Sequence, residues 1–494
     1  MPQLSTRAKR LAIFVHRWLG VALCLLFTWW FVSGIFMMYW DYPSVRAADR
    51  LERAPVLEAS RILIDFQTAY NRLALDEPPD VVRLSMYDGH PAYRFRKGRE
   101  ESLVYADSGQ IQAEFPGDTT LRIAASWTGQ PANTAKSEIN TEEDQWTVSG
   151  QFRALRPLIK YSWPNGEEVY VSTVTGEVVQ YTTRSSRIFA HLGPIPHWLY
   201  YTPLRKNGPL WSRIVIWLSA VGTFAALLGM VVGIWMYRIP YTGQKRWHTI
   251  AGLCFGITAC TWAFSGMLSM DPFPVLAPSE EMGGRIARSL RSGPVVPSLF
   301  ADKPSREALA QLGSDFPVKE LEYTLIAGAP VYLATGPRGQ TRIVPVSGEP
   351  VETLDRNLLL GVIRRAVRPF QPVEMRDVTR YEAYYVDRHH QRPLPALFVR
   401  LNDRNGSMYY VDPKTARVVE SYDSGSRWVR WLYHGLHSID LPWLYAHRPA
   451  WDIAVLLLML GGVTLSVTSV ILAVRVLQRK IAGTTVSANF VRRS

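Results

Sequence analysis

Four long stretches of the chain carry no charged side chain, and they divide the sequence into its main parts. They are residues 19–40, 214–237, 249–270 and 453–474. A helix needs about 20 apolar residues to cross the hydrocarbon core of a bilayer. Each stretch is therefore predicted to be a transmembrane helix, because several uncharged runs of this length are unusual in a soluble chain.

Basic residues predict the orientation of these helices. Clusters of Arg and Lys lie in residues 1–18, in the loop 238–248 and in the tail 475–494. The positive-inside rule assigns such clusters to the cytoplasm. The two large segments 41–213 and 271–452 are then expected to face outward. The net charge of +13 is partly a result of this topology, and no basic run interleaved with aromatic residues indicates nucleic-acid binding.

The two outward segments show the alternation of apolar and polar residues that is typical of β-hairpins. Four stretches alternate around a turn that contains Gly, Pro or Asp: residues 92–112, 168–180, 331–352 and 396–420. The turns are predicted at 107–109, 174–176, 346–348 and 413–416. This combination predicts antiparallel hairpins. Residues 58–75 and 306–312 are predicted to form short helices beside them. The expected fold class is an α+β membrane protein, with one helix and one antiparallel sheet repeated twice in each half.

The chain also repeats itself, which predicts two pseudo-symmetric halves. A shift of 232 residues superposes His16, Gly20, Ser33, Gly34 and Met38 on His248, Gly252, Ser265, Gly266 and Met270. A shift of 240 residues superposes Tyr170, Arg187, His197 and Trp211 on Tyr410, Arg427, His437 and Trp451. Each half therefore has two predicted transmembrane helices, and a histidine lies before or at the start of each one. Each of these histidines superposes on a histidine of the other half.

Histidines are the candidate cofactor ligands. In the predicted topology His16 and His248 lie at the cytoplasmic edge, and His197 and His437 lie near the outer edge. Two imidazoles at one depth are suited to bind haem iron from both sides. The alternative is an interfacial histidine bonded to lipid headgroups or backbone. The C-x-x-C-H motif for covalent attachment is absent from the sequence, so two non-covalent b-type haems are expected.

Other residues could serve the same site. His191 and His434 also lie near the outer face and could replace or assist His197 and His437. His434 precedes His437 by three residues, which places both on the same side of a helix. The repeat favours the latter pair, because His191 superposes on Trp431 and His434 on Pro194. Glycines could admit a flat macrocycle or simply pack helices together. They are Gly34, Gly229, Gly233, Gly252, Gly256, Gly266, Gly461 and Gly462. The stretch from Asp387 to His390 could bind a metal or form a solvated loop.

Several motifs carry a resemblance to a known family. The stretches VYVSTVTGEV at 169–178 and MYYVDPKT at 408–415 resemble the PepSY module. The stretch WLYHGLHS at 431–438, followed by RPAWD at 448–452, resembles the PepSY-associated transmembrane family, as does IPHWLY at 195–200. The resemblance extends over nearly the whole chain. It implies a multi-pass protein of the bacterial inner membrane with two periplasmic PepSY-like segments, similar to ferric-siderophore reductases that carry b-type haems.

The expected function is therefore electron transfer from the cytoplasmic side to a periplasmic ferric siderophore, with release of Fe(II). The donor would be separate, such as a quinol, reduced flavin or flavoprotein, because the loop 238–248 cannot house a flavin or nicotinamide domain. No residue stands out as catalytic.

Two alternative functions remain. A membrane-anchored PepSY module could bind or regulate a periplasmic partner such as a peptidase. A metal-chelate permease is the second alternative, although the predicted spans lack the Asp, Glu, Lys and Arg that transport pathways usually carry.

Overall fold

The computed structural model describes residues 2–98, 100–237, 241–273, 280–291 and 293–491. The chain is a mixed α+β protein with 50% helix and 19% strand. It divides into two units. The helical unit comprises Met1–Tyr42, Ser185–Ala277 and Gly425–Ser494, and the sheet unit comprises Pro43–Arg184 and Pro278–Ser424.

The α-helices range from single turns to membrane-spanning length. In chain order they are α1 Pro2–Met37, α2 Ala47–Arg53, α3 Phe66–Leu73, α4 Gly117–Thr128, α5 Arg184–Leu192, α6 Pro194–His197, α7 Thr202–Arg205, α8 Gly208–Met236, α9 Gly243–Leu268, α10 Glu280–Leu290, α11 Ser305–Leu312, α12 Arg356–Ala366, α13 Ser424–Val429, α14 Pro442–Tyr445 and α15 Ala450–Val491. A π-helix, Arg430–Ser438, follows α13.

Four of these helices are long and apolar enough to cross a membrane. The candidate spans are Thr6–Met37, Gly208–Met236, Gly243–Leu268 and Ala450–Ile481, within α1, α8, α9 and α15. The prediction of four membrane helices is confirmed at this level. Their ends differ, since α1 stops at Met37 and the predicted end at Trp40 is wrong. The backbone N–H groups of Tyr39 and Trp40 both bond to the Phe36 carbonyl, which closes a turn there.

Glycines let the long helices approach one another closely. A Cβ atom added to Gly462 would lie 2.2 Å from the Phe31 ring, and one added to Gly461 would lie 2.2 Å from the Phe255 ring. These separations are far below van der Waals contact, so no larger residue fits at either position without movement of an aromatic ring. At these two glycines the helix-packing interpretation holds.

The strands form three antiparallel sheets. They are β1 Val81–Tyr87, β2 His90–Lys97, β3 Glu100–Tyr105, β4 Ile111–Gln112, β5 Lys136–Asn140, β6 Leu158–Ser162, β7 Glu168–Ser172, β8 Val178–Thr182, β9 Glu320–Ile326, β10 Ala329–Thr335, β11 Thr341–Pro345, β12 Pro372–Val378, β13 Ala396–Leu401, β14 Met408–Asp412 and β15 Arg417–Tyr422. The sheet orders are β11-β10-β9-β1-β2-β3-β4, β5-β6-β7-β8 and β12-β13-β14-β15.

The seven-stranded sheet joins the two large segments of the chain. Strand β1 pairs with β9 so that Leu84 lies opposite Leu321 and Ser85 opposite Glu320. Alternate residues of β1, including Val82 and Leu84, are fully buried in one core with residues of β9. The expectation of two separate sheets in each half is therefore wrong. The first sheet of each half is part of the same seven-stranded sheet.

Two predicted hairpins are confirmed, and two have their turns elsewhere. Strands β7–β8 and β14–β15 pair around the expected turns. In the stretch 92–112, however, the first turn is at Gly98, and the predicted turn at 107–109 leads only to the short β4. In 331–352 the β10–β11 turn contains the 3-10 helix Pro337–Gly339. Beyond the predicted turn at 346–348, one isolated bridge joins Ile343 and Val351.

The predicted helices are partly confirmed. Helix α11 matches the prediction for 306–312. The predicted helix over 58–75 is split into the 3-10 helix Ala59–Arg61 and α3. The cause is Asp65, whose side chain accepts a hydrogen bond from the Thr68 backbone N–H at 2.8 Å and so begins a new helix.

The joined sheet can be tested directly by cross-linking. Residues opposite each other in an antiparallel pair have Cα atoms about 4.5–5.5 Å apart, which suits a disulfide. We expect the double variant Ser85→Cys, Glu320→Cys to form a disulfide under mild oxidation, detected as a cross-linked peptide by mass spectrometry. The native cysteines do not interfere, because Cys24, Cys254 and Cys260 lie in α1 and α9. The control pairs Ser85→Cys with Thr324→Cys, which is out of register and should stay reduced; the opposite outcome would contradict the β1–β9 pairing.

Candidate cofactor site in the helical unit

The helical unit brings the four predicted histidines together as two pairs. The ring centres of His16, on α1, and His248, on α9, are 6.3 Å apart with 30° between the ring planes. The ring centres of His197, at the end of α6, and His437, in the π-helix, are 5.9 Å apart at 71°. The partners within each pair are those that the repeat predicts.

The separation within each pair suits one metal ion. Two imidazoles that bind a metal from opposite sides, through bonds of about 2 Å, have ring centres roughly 6 Å apart. Imidazoles in direct hydrogen-bonded or stacked contact would be closer. Each pair could therefore hold a metal centre between its two rings.

The hydrogen bonds of the first pair leave one ring nitrogen available for a metal. Nδ1 of His16 donates to the Ala225 carbonyl oxygen at 3.2 Å, on α8. Nδ1 of His248 is 3.2 Å from the Thr468 hydroxyl and 3.4 Å from the Ser469 hydroxyl, both on α15. Those hydroxyls donate their own hydrogens to the Leu465 carbonyl oxygen. With their hydrogens on the Leu465 carbonyl, these hydroxyl oxygens accept from His248, which favours the proton on Nδ1.

The second pair repeats this arrangement with serines. Nδ1 of His197 lies 3.1 Å from the Ser33 hydroxyl and 3.2 Å from the Trp30 carbonyl oxygen. Nδ1 of His437 lies 3.0 Å from the Ser265 hydroxyl. Ser265 donates its own hydrogen to the Trp262 carbonyl oxygen, which leaves its oxygen to accept from the imidazole.

The carbonyl oxygens of Ala225 and Trp30 only accept, so they fix the proton on Nδ1 of His16 and His197. The hydroxyl partners of His248 and His437 also bond to backbone carbonyls, which favours the same tautomer. A proton on Nδ1 leaves the lone pair of Nε2 free to bind a metal. Metal-binding histidines usually donate their other ring N–H to an acceptor in this way, which holds the ring in position. The acceptors on Ala225, Ser33, Ser265 and Thr468 are therefore positioning groups for the four imidazoles. Sequence reasoning did not assign them this role, although Ser33 and Ser265 belong to the repeat.

The two pairs are well separated along the bundle. Ser33, which bonds to His197, follows His16 by 17 residues within α1. At 1.5 Å per residue this is about 25 Å of helix. Ser265 follows His248 by the same interval within α9. Two centres at these pairs would thus be spaced by most of the thickness of a hydrocarbon core, which is about 30 Å.

The first pair opens onto a cavity of about 330 Å³. His16 and His248 both line it, and so do five glycines: Gly20, Gly229, Gly233, Gly252 and Gly256. A volume of this size is typical of cofactor sites. A Cβ atom added to Gly229 would lie 2.5 Å from Cε1 of His16, whereas one added to Gly20 would meet nothing within 4 Å. Gly229 therefore makes room for the imidazole, and Gly20 faces open space in the cavity.

Two basic side chains also line this cavity. Arg17 directly follows His16, and Lys245 precedes His248 by about one helical turn. Their polar ends could bind the carboxylates of a ligand whose apolar body occupies the cavity. The sequence analysis assigned Lys245 to topology alone and did not single out Arg17, because a basic residue at a membrane edge is already explained by the positive-inside rule.

Glycines lie beside the second pair as well. A Cβ atom added to Gly34 would be 3.5 Å from Cε1 of His197, and one added to Gly266 would be 3.6 Å from Cε1 of His437. These two glycines are superposed by the 232-residue repeat. The separations from the histidine rings are ordinary van der Waals contacts, and the nearest atom to a Cβ at Gly34 would be Cε of Met459, on α15, at 2.9 Å. Gly34 therefore serves helix packing as well as the space beside His197.

The alternative ligands His191 and His434 have other contacts. Nδ1 of His191 bonds to the Arg187 carbonyl oxygen at 2.8 Å, and its side chain is exposed. The ring centre of His434 lies 4.6 Å from that of Tyr433. The expectation that His434 and His437 share one helix face assumed an α-helix. The segment is a π-helix, in which residues three apart no longer lie on one face.

A buried ion pair closes the π-helix. Nη1 of Arg430, at its first residue, donates to the Asp440 carboxylate at 2.7 Å, and Nη2 donates to the Asp440 carbonyl oxygen at 3.0 Å. Arg430 is 3% exposed. Burial raises the pKa of Asp440 to about 6, although Arg430 acts in the opposite direction. This ion pair links the two ends of the segment that carries His437.

The stretch from Asp387 to His390 forms a loop in the sheet unit. The Asp387 carboxylate accepts backbone N–H groups of His389, Gln391 and Arg392, the first at 2.9 Å. His389 and His390 are exposed. Among the described residues, no group of three or more His, Cys, Asp or Glu could bind a metal ion. The solvated-loop interpretation therefore fits better than a metal site.

No model of a known protein family matches the chain, and neither does any curated protein.

Proposed function

We propose that this chain is an inner-membrane electron-transfer protein that holds two b-type haems and reduces a ferric siderophore. The observation that carries the proposal is the pair geometry: two histidine pairs with ring centres 6.3 and 5.9 Å apart. In every ring Nδ1 is engaged by an acceptor, so Nε2 is available. Four imidazoles with one shared tautomer suit two bis-imidazole haem sites.

The surroundings of the first pair fit a porphyrin. Gly20 leaves open space in the cavity, and Gly229 makes room for the His16 imidazole beside it. Arg17 and Lys245, which line the same cavity, could bind the two haem carboxylates. Haem iron bound by two imidazoles accepts and donates one electron at a time. The task of the protein is then to hold the ligands, exclude water and space the two sites across the membrane.

The repeat of these contacts supports the proposal of two similar halves. His197 bonds to Ser33 as His437 bonds to Ser265, and the members of each superposed pair are 232 or 240 residues apart. With the basic loops in the cytoplasm, His16 and His248 would lie at the inner face, and the sheet unit would be periplasmic. The acceptor, a ferric siderophore, comes from the resemblance to the PepSY-associated transmembrane family.

Reduction would release the metal, because Fe(II) is softer than Fe(III) and binds hard oxygen ligands less tightly. The electron donor on the inner side would be a quinol, reduced flavin or flavoprotein. The connection between α8 and α9 is too short to form a domain that binds such a donor's cofactor.

Reoxidation of the reduced protein tests this function. The haem-loaded protein in detergent is reduced with dithionite, freed of excess reductant and mixed without oxygen with a ferric trihydroxamate or ferric citrate. The reduced haem bands are expected to disappear, with one Fe(II) trapped for each electron lost. The same chelators loaded with Ga(III), which accepts no electron under these conditions, are the control. Persistent reduced bands with both ferric chelates would contradict the proposed reductase activity.

A further inference from the structure

The sheet unit contains a cavity of about 250 Å³ whose polar lining is dominated by arginine. The four arginines come from separate elements: Arg83 in β1, Arg96 in β2, Arg291 after α10 and Arg417 at the start of β15. The cavity therefore lies where both large segments of the chain meet in the seven-stranded sheet. The side chain of Arg417 is 57% exposed, so the cavity is open to solvent on that side.

Two of these arginines share one carboxylate. Glu322, in β9, accepts hydrogen bonds from Nη2 of Arg291 and from Nη2 of Arg417, the latter at 2.8 Å. Arg291 also donates to the Thr324 hydroxyl at 3.1 Å. A single buried carboxylate thus neutralises only one of its two guanidinium partners.

The other two arginines make no hydrogen bond to a carboxylate of the described residues. Within the described part of the chain, the guanidinium groups of Arg83 and Arg96 make no hydrogen bond and no ion pair. Both side chains are half-buried and line the cavity. The neighbouring Arg94 differs, because it bonds to Glu101 at 2.9 Å and to the Thr175 carbonyl oxygen at 2.7 Å. Arg94 is a structural residue, whereas the guanidinium N–H groups of Arg83 and Arg96 remain available to bind a ligand.

The charge balance of the cavity is positive. Four guanidinium groups line the cavity with two carboxylates, Glu322 and the exposed Asp80. Outside the cavity, Arg83 also interacts electrostatically with Glu177 and Glu320, and Arg96 with Glu177. Asp80 is itself within 3.8 Å of Lys97. Unpaired charges of one sign in a partly enclosed site are costly unless a ligand of the opposite sign compensates them. Burial acts to raise the pKa of nearby Glu177, yet Arg94, Arg50 and Arg83 outweigh it and lower that pKa.

We propose that this arginine cavity binds a multivalent anion that carries several carboxylate oxygens. The planar guanidinium forks of Arg83 and Arg96 suit bidentate contacts with carboxylates. Resting on the proposed function, the anion is the substrate itself, so the favoured ferric chelates are anionic polycarboxylate complexes rather than neutral trihydroxamates.

Binding of Ga(III) citrate, in which the metal is not reduced, tests the cavity separately from electron transfer. Titration calorimetry of the full-length protein in detergent should show binding by the native chain. The double variant Arg83→Gln, Arg96→Gln should bind at least about tenfold more weakly, because each charge-assisted hydrogen bond is worth roughly that factor. The control Arg153→Gln, Arg356→Gln removes the same charge from exposed ion pairs and should bind like the native chain.

Two other outcomes of these binding measurements would contradict the proposed anion site. Equal affinity in the Arg83, Arg96 variant, with an unchanged melting temperature, would overturn the proposal. So would binding of inorganic pyrophosphate without binding of Ga(III) citrate, which would make the cavity a phosphate site. Raised salt should weaken the native interaction, and this serves as a test if the variant does not fold. The proposed function is judged apart from these results, by the haem content and by whether either ferric chelate reoxidises the reduced protein.

Discussion

Replacing His16 or His248 with alanine is expected to remove one of two bound haems, and replacing His197 or His437 should remove the other. The ring centres of each pair are about 6 Å apart, and Nδ1 of every ring is hydrogen-bonded to the protein. Each ring therefore has only Nε2 left to bind the haem iron. A double variant that lacks both histidines of one pair should lose no more haem than either single variant. The haem content per chain, measured as the pyridine complex of the purified variants, checks this.

Matched histidine variants provide the control. His191 and His434 lie close in sequence to His197 and His437, but both lie outside the pairs. The variants His191→Ala and His434→Ala should keep the full haem content. Loss of haem in His434→Ala but not in His437→Ala would show that the ring opposite His197 has been wrongly identified.

Filling the glycine-lined cavity is expected to abolish the first site without a change of ligand. Gly20 lines the cavity beside His16, and a Cβ atom added there meets no protein atom within 4 Å. The variant Gly20→Leu should therefore fold and insert normally, yet its side chain would occupy the space that a porphyrin needs. We expect about half of the native haem content, together with native content at the second pair.

The matched control introduces a leucine nearby on the same helix. Ala22 is exposed and does not line the cavity, so Ala22→Leu should retain both haems. Native haem content in Gly20→Leu would mean that the cavity is a packing gap and that the porphyrin, if bound, lies elsewhere.

The histidine pairs could be predicted because the repeat and the hydropathy pattern act together. The repeat identifies which histidines correspond, and the positive-inside rule places His16 with His248 and His197 with His437. The acceptors could not be predicted equally well. The Ala225 carbonyl is a backbone group, which any residue could supply, and a hydroxyl such as Ser33 more often bonds within its own helix.

The sheet unit shows where local patterns stop being informative. Alternation in the sequence identifies the β7–β8 hairpin, because both strands are adjacent and a glycine turn joins them. Gly176 has φ of +67°, and a Cβ atom there would lie 2.2 Å from the Tyr87 hydroxyl. The pairing of β1 with β9 connects residues more than 200 positions apart. Alternation shows which face of each strand is buried, but not which distant strand lies beside it.

Electron paramagnetic resonance of the oxidised, unmodified protein tests the two-haem proposal most directly. The imidazole planes differ by 30° in the first pair and by 71° in the second, and the spectrum of low-spin ferric haem depends on this angle. Two distinct low-spin signals are expected, in equal amounts and with two acid-extractable haems per chain. A preparation from haem-replete cells with no such signal and no haem would contradict the assignment of the histidine pairs.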